Sequence, residues 1–281
     1  MRSCTTADTS IAAGEYLTLT QYFEGQDLQQ IKKGTASAEQ LTISFWVKGN
    51  ATATYVCELY DVDNNRQISK TFAVTTSWAK ITLLIPADTT GAFDDNNANS
   101  LGLSIFLHAG TSYTGGTLNS SAWAAANNAN RAVGISSIFD ATSRTFFMTG
   151  VQMELGATGT EFEHRTYGDE LASCQRYYTR FTGVTNLSQY GVAEVATTTK
   201  VRWPMWCPVE MRAVPTMTFA GTSFVISWDR IGSAVTSLVL GVATTKIQSL
   251  TGTISSGTVG QAVTISAGAS ADTNISFDSE L

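Results

Sequence analysis

From residue 41 to residue 48 the side chains alternate without a break: Leu41, Ile43, Phe45 and Val47 fall on one parity, and Thr42, Ser44, Trp46 and Lys48 on the other. A period of two marks a strand with one buried face, because a helix made of the same residues would scatter its apolar groups around the axis. The pattern recurs. Residues 16–23, 55–60, 68–75, 80–85, 101–108 and 147–155 carry it between Gly, Asn, Asp and Pro punctuation, with Asx-rich hairpin chemistry at residues 61–66 and Pro86 stopping one strand. Roughly eight strands at this spacing, without a long helical segment between them, predict a jelly-roll sandwich.

The alternation ends in the segment RTFFMTGVQMELGATGTEFEHRTYGDELASCQRYYTRF, residues 144–181. Val151, Met153 and Leu155 oppose Gln152 and Glu154 in what reads as a closing strand, and the small residues 156–159 turn the chain out of the sheet. Asp169 is expected to cap a helix, with Glu170 in its first turn, Leu171, Cys174 and Tyr178 at i, i+3 and i+7, and Arg176 and Arg180 near its end. After it, residues 188–199, 200–205, 216–220, 223–228, 237–242, 246–250, 259–267 and 274–278 read as strands of a second, smaller sandwich. The expected domains are therefore residues 1–165, a linker helix over 166–181, and residues 182–281.

The string TGVQMELG-x-x-x-T-EFEHRTYGDELASCQRYY resembles a segment of the tail fibres and receptor-binding proteins of tailed bacteriophages. In that family a jelly roll of carbohydrate-binding-module type ends and a short helix leads into a distal β-domain. The resemblance runs from about Thr5 through Phe181 and returns at the terminal ISFDSEL. It implies a non-catalytic homotrimer on the virion, folded in the host cytoplasm, joined to an upstream fibre or baseplate protein and attaching to a host-surface glycan. Met1-Arg2-Ser3 before the family-like TTADTSIAAGEYLTLTQ is read as a start placed on a fragment.

Composition bears on partners. Only 14% of the 281 residues are charged and the formal net charge is -6, so no basic stretch exists to neutralise a nucleic-acid backbone. Ser, Thr, Asn and Gly occupy surface positions that Lys and Glu hold elsewhere, which suits a neutral, hydroxyl-rich ligand. No window reaches the roughly 20 apolar residues of a membrane helix. Cys4, Cys57, Cys174 and Cys207 lack metal-ligand spacing and are expected as free thiols, and no cofactor is expected.

Residues 252–276 are thin in large apolar side chains, with Val259, Val263 and Ile265 expected to do most of the burying. A lone copy of the second sandwich is therefore expected to be short of interior, and association to supply the missing area. Leu171, Cys174, Tyr177, Tyr178 and Phe181 are the candidate three-fold contacts, the alternative being that these aromatics fold back within one chain.

Sugar sites stack aromatic rings on pyranose faces beside amides and carboxylates. Trp228-Asp229-Arg230, expected at a loop running on through Gly232-Ser233, is the first candidate. Trp203 and Trp206 lie on opposite parities around Pro204, so at least one can face outward, although packing between strands accounts for such a pair as well. Tyr113 and Trp123 belong to a long loop, residues 109–131, where Trp123 is expected to pack its indole on the sandwich. Asp61-x-Asp63-x-Asn65 begins like a calcium loop, but Arg66 and Phe72 stand where Gly and Glu belong, leaving a polar hairpin. His108 and His164 have no catalytic or metal partner at a recognisable spacing. Two readings compete with the fibre: an ancillary carbohydrate-binding module of a polysaccharide-degrading enzyme, and a structural virion protein.

Overall fold

The computed structural model describes residues 1–8, 10–183, 188–220, 224–228, 231–267 and 273–281, with backbone alone at 227, 228 and 231–233. The chain divides into two compact units, Met1–His164 with Leu281, and Arg165–Glu280. Each is an antiparallel β-structure.

The first unit comprises β1 (Arg2–Ser3), β2 (Tyr16–Glu24), β3 (Leu41–Gly49), β4 (Ala53–Asp61), β5 (Arg66–Val74), β6 (Ala79–Ile85), β7 (Asn99–Ala109), the one-turn α1 (Thr111–Thr114), β8 (Ala124–Ala125) and β9 (Thr145–Leu155). Its strands order as β1-β9-β3-β6 in one sheet and β2-β7-β4-β5-β8 in the other. From β2 to β7 the chain crosses between the sheets at every step except the β4–β5 hairpin, a jelly-roll winding, with β8 added at one edge. The alternation legible in the sequence becomes the packing: Ile43, Phe45 and Val47 are fully enclosed and Trp46 lies outside. Phe45 meets Phe72 edge-on at 5.1 Å, and Tyr55 meets Phe146 at 5.4 Å, across the interior.

Asp61 caps its hairpin loop by accepting from Asn64 N–H at 3.0 Å, and its other oxygen turns inward. It lies on a buried ionic cluster in which the Lys33 ammonium donates to Asp61 Oδ2 at 2.5 Å and to the carbonyls of Thr90 and Gly91, each at 2.8 Å. Asp88 approaches Lys33 at 3.1 Å and takes a forked pair from Arg66 at 2.8 and 3.0 Å. Two cations and two carboxylates are thereby neutralised together, which is how charges survive burial.

The second unit begins with α2 (Tyr167–Gln175), followed by β10 (Tyr178–Thr182), β11 (Gln189–Thr197), β12 (Lys200–Trp206), β13 (Thr216–Ala220), β14 (Phe224–Trp228), β15 (Ile231–Val235), β16 (Ser237–Ala243), β17 (Ile247–Thr253), β18 (Ala262–Ala267) and β19 (Asn274–Asp278). A sheet ordered β10-β19-β13 accompanies a larger one ordered β15-β14-β18-β11-β12-β17-β16. Three expectations need correction. The helix cap is Thr166, whose hydroxyl accepts from Asp169 N–H, so Asp169 lies in the first turn. The helix stops at Gln175, and Tyr178 and Phe181 belong to β10, because those aromatics satisfy a strand facing β19 as readily as a helix stripe. Gly232 and Ser233 form part of β15, paired with Ser227 and Ile226, and not a loop.

The expected shortage of interior is also overturned. Trp203, Phe277, Ile275, Ile226, Leu250 and Ile265 are all nearly or wholly enclosed around one centre. The thin strand is the complement of the large one: a Cβ on Gly252 would meet Val235, Val201 and the Trp203 indole at 2.8, 3.1 and 3.4 Å. A small residue on β17 makes room for a bulky one on β12. Val259 takes no part and stands 58% exposed.

Candidate functional site

A cleft of about 820 Å³ lies against the five-stranded sheet, lined by Tyr60, Asn65, Asn119, residues 124–126, Asn127, Asn128 and Asn130. It is roofed by the long loop between β7 and β9. Strand pairing explains the placement: β4 and β5 turn Glu58, Tyr60, Gln67 and Ser69 toward the face away from the core, and β8 clips the loop to Arg66 and Gln67.

The loop is pinned at several points. Trp123 is nearly buried, its indole N–H donating to Pro86 O at 3.0 Å, and its own carbonyl accepts from Arg66 Nη2 at 3.2 Å. Tyr113 is half-buried beside Tyr16, ring centroids 5.0 Å apart. Arg131 reaches down to Glu58 with a two-pronged contact at 2.8 and 2.6 Å and lies 5.0 Å from the Tyr60 ring centroid. Burial alone would lower the Arg131 pKa, but the Glu58 carboxylate outweighs it and the guanidinium stays charged. The acid beneath the cleft is thus spoken for, and the lining itself contains no carboxylate, imidazole or thiol.

What the lining does contain is amides held in fixed orientation. Tyr60 donates to Asn65 Oδ1 at 2.6 Å, with Asn65 in a left-handed turn at φ 50°. Asn127 Oδ1 caps the short turn 128–130 by accepting from Ala129 N–H, and Asn130 Oδ1 accepts from Thr117 N–H. The Asn130 oxygen sits only 2.0 Å from where a Cβ on residue 116 would stand, so a larger residue than Gly116 would displace that amide. Several polar atoms are buried without a partner: Asn119 Nδ2 in the lining, and Gln67 Oε1 and Ser69 Oγ on the strand beside it. Gln67 Nε2 bonds to Asn127 O, and Ser69 N–H to Asn119 O, which ties both residues to the same wall. The three partnerless atoms are enclosed behind the surface, so the groups open to a hydroxyl-bearing ligand are the exposed amides of Asn65, Asn127 and Asn128.

Of the residues singled out from sequence, Trp203 is 1% exposed and is closed to any ligand, whereas Trp206 on the same strand is 60% exposed. Trp228 lies on β14, while Asp229 and Arg230 fall outside the described residues. Leu171 and Cys174 are exposed on α2, Tyr177 is half-buried, and Tyr178 donates to Ser276 Oγ at 2.9 Å. Phe181 packs on Phe277, ring centroids 6.0 Å apart. The structure brings Tyr113 and Trp123 near one another only through the loop they share, and neither forms the cleft lining. Of the asparagines that do form it, Asn65 was read only as part of a polar hairpin, and Asn127, Asn128 and Asn130 lie in the Asn-dense AWAAANNANR.

Among the described residues no group of three or more His, Cys, Asp or Glu side chains could hold a metal, and no helix is long and apolar enough to cross a membrane. Cys4, Cys57 and Cys207 are buried free thiols and Cys174 is an exposed one.

No family model matches the chain and no curated protein matches it. Among solved structures, wild-type discoidin II from Dictyostelium discoideum aligns over 98% of this chain and 80% of its own at 10% identity, with a TM-score of 0.23. The PBSX exported protein XepA aligns over 98% of this chain and 83% of its own at 8% identity, with a TM-score of 0.22. Agreement at that level establishes no common fold and bears on no residue of the cleft.

Proposed function

We propose that this chain is a non-catalytic glycan-binding protein, and that its sugar site is the amide-lined cleft of the jelly roll. One observation carries the reading: asparagine side chains held in fixed orientation converge on a cleft whose lining holds no carboxylate, and the Glu58 carboxylate beneath it is paired with Arg131. Amides donate and accept at once, which matches vicinal hydroxyls, and the Tyr60 ring supplies an apolar surface for a pyranose. Neutral saccharide is the class this chemistry favours.

The finer reading is a receptor-binding part of a phage tail fibre, trimeric, attached upstream to fibre or baseplate and facing a host glycan. It is supported by the resemblance of residues 149–178. A missing core no longer supports the trimer. What supports self-association is the outer face of the larger sheet of the second unit, where Val192, Trp206, Val239 and Val242 are each more than half exposed.

Adsorption to host cells or their purified polysaccharide tests the cleft. Asn65→Ala with Asn128→Ala, both exposed positions, should reduce binding at least tenfold while leaving the fold unchanged. Undiminished binding would move the receptor site elsewhere, and a monomer by light scattering would remove the trimer.

A further inference from the structure

A second cleft, about 370 Å³, is lined by Asp8, Gly14, Glu15, Tyr16, His108 and Phe139. It belongs to the opposite end of β7 from the amide cleft: Gly102 pairs with Tyr60, and His108 lies six residues further on, roughly 20 Å at strand rise. The proposed glycan site is not involved in it.

His108 is 3% exposed. Its Nδ1 is 2.8 Å from Ser137 Oγ, and the ring stands edge-on to Phe139 at 5.0 Å. Ser137 lies behind the ring and outside the lining, and its Oγ also accepts from Phe139 N–H at 3.0 Å. The pair therefore orients the imidazole and presents no nucleophile. The contact fits either tautomer; the one in which Nδ1–H donates to Ser137 Oγ leaves Nε2 an acceptor, and among the described residues Nε2 has no hydrogen-bond partner.

The walls are acceptors too. Asp8 Oδ1 takes Ser10 N–H and Glu15 Oε2 takes Ala12 N–H, each at 2.8 Å, so each carboxylate spends one oxygen on its own turn and keeps the other. No Lys or Arg lines the space, and Tyr16 and Phe139 offer ring faces. Carboxylates, an acceptor imidazole nitrogen and aromatic rings together exclude anions and favour a ligand that offers several donors and a positive charge. The group that satisfies all of them is a small cation bearing N–H donors.

We propose that this cleft binds a primary ammonium group, as carried by an unacetylated amino sugar or a simple alkylamine. Burial keeps the imidazole neutral near pH 7, with Glu15 and Asp8 opposing that shift in part. Acidification far enough to protonate an imidazole held below its ordinary range puts a positive charge on His108 beside the ligand and weakens binding. Asp8, Glu15 and Tyr16 are the other titratable groups lining the cleft.

The test is a titration of the full chain with methylammonium, glucosamine and N-acetylglucosamine at constant ionic strength, reading the His108 ring signals by NMR. Saturable shifts with the first two and none with the third are expected. Asp8→Asn and Glu15→Gln should each weaken the response about fivefold. Response to methylammonium without glucosamine would assign an amine that is not a sugar. No saturable shift, an equal effect of N-acetylglucosamine, or an undiminished response in the doubly neutralised variant would overturn the proposal. None of these results depends on the amide cleft.

Discussion

Replacing Lys33 by Met tests how the jelly roll holds its binding loop. The side chain of Lys33 is 2% exposed and that of Asp61 is fully enclosed. Without the ammonium, Asp88 keeps the Arg66 fork and the Thr90 N–H, whereas Asp61 keeps only the Asn64 donors at 3.0 to 3.2 Å. The carbonyls of Thr90 and Gly91 lose their donor as well. The loss therefore concentrates on one uncompensated carboxylate, a defect that costs about 3–5 kcal/mol. The cavity contribution should be small, since a Met stem fits between the Phe93 and Trp123 rings that flank the ammonium at 5.3 and 5.4 Å. For a unit of this size the melting temperature should fall by about 10 °C. Hydrogen exchange of peptides spanning β4 and β5 isolates the first unit from the second. Adding Asp61→Asn should recover more than half of the loss, because the stranded charge is then gone. A cost below about 1 kcal/mol, or a double variant as unstable as the sum of the singles, would refute the reasoning.

Three further outcomes follow from the packing and the charges. Burial holds the His108 imidazole below its ordinary pKa, so its contribution to stability is complete above about pH 6.5 and declines as pH falls; His108→Gln should abolish that decline, and a flat wild-type profile between pH 7 and 5 would contradict it. Burial raises the Asp88 carboxyl, but hydrogen bonds from Arg66, Lys33 and Thr90 outweigh it and leave the group low, so a second loss should begin as pH falls below about 4, and Asp88→Asn should blunt it. In the second unit, Trp203→Ala should cost about 3–5 kcal/mol in urea denaturation while Trp206→Ala stays within about 0.5 kcal/mol, and equal costs would show that the two faces of β12 are misassigned.

The strands were legible where one face is buried and the other is not. β3 puts the Ile43 parity in the core as its sequence alternates, whereas β9 carries a register shift opposite Ser44 to Trp46 that sets Phe146 and Met153, of opposite parity, against the same core and leaves Val151 and Leu155 exposed; the opposite parities of Trp203 and Trp206 became one enclosed indole and one exposed. Legibility failed where two periods fit the same residues: Tyr178 and Phe181 match a helix stripe and a strand equally, and only pairing with β19 decides between them. It failed again where glycine stands inside a strand, as at Gly252, because sequence shows the missing side chain but not the neighbour that fills the space. The site was hidden for a different reason. Asn65 and residues 119–130 meet only because β8 docks on β5, and Lys33 reads as an ordinary surface lysine until Asp61 and Asp88 close around it.

The central claim is that the amides roofing the five-stranded sheet are where a saccharide binds. Side-chain amide NMR signals followed during titration with oligosaccharide from the host surface test it most directly. Joint, saturable shifts of Asn119, Asn127, Asn128 and Asn130, lost when Tyr60 is replaced by Ala, are the predicted result. Saturable binding that leaves those four signals unmoved, or that moves only residues of the second unit, would contradict it.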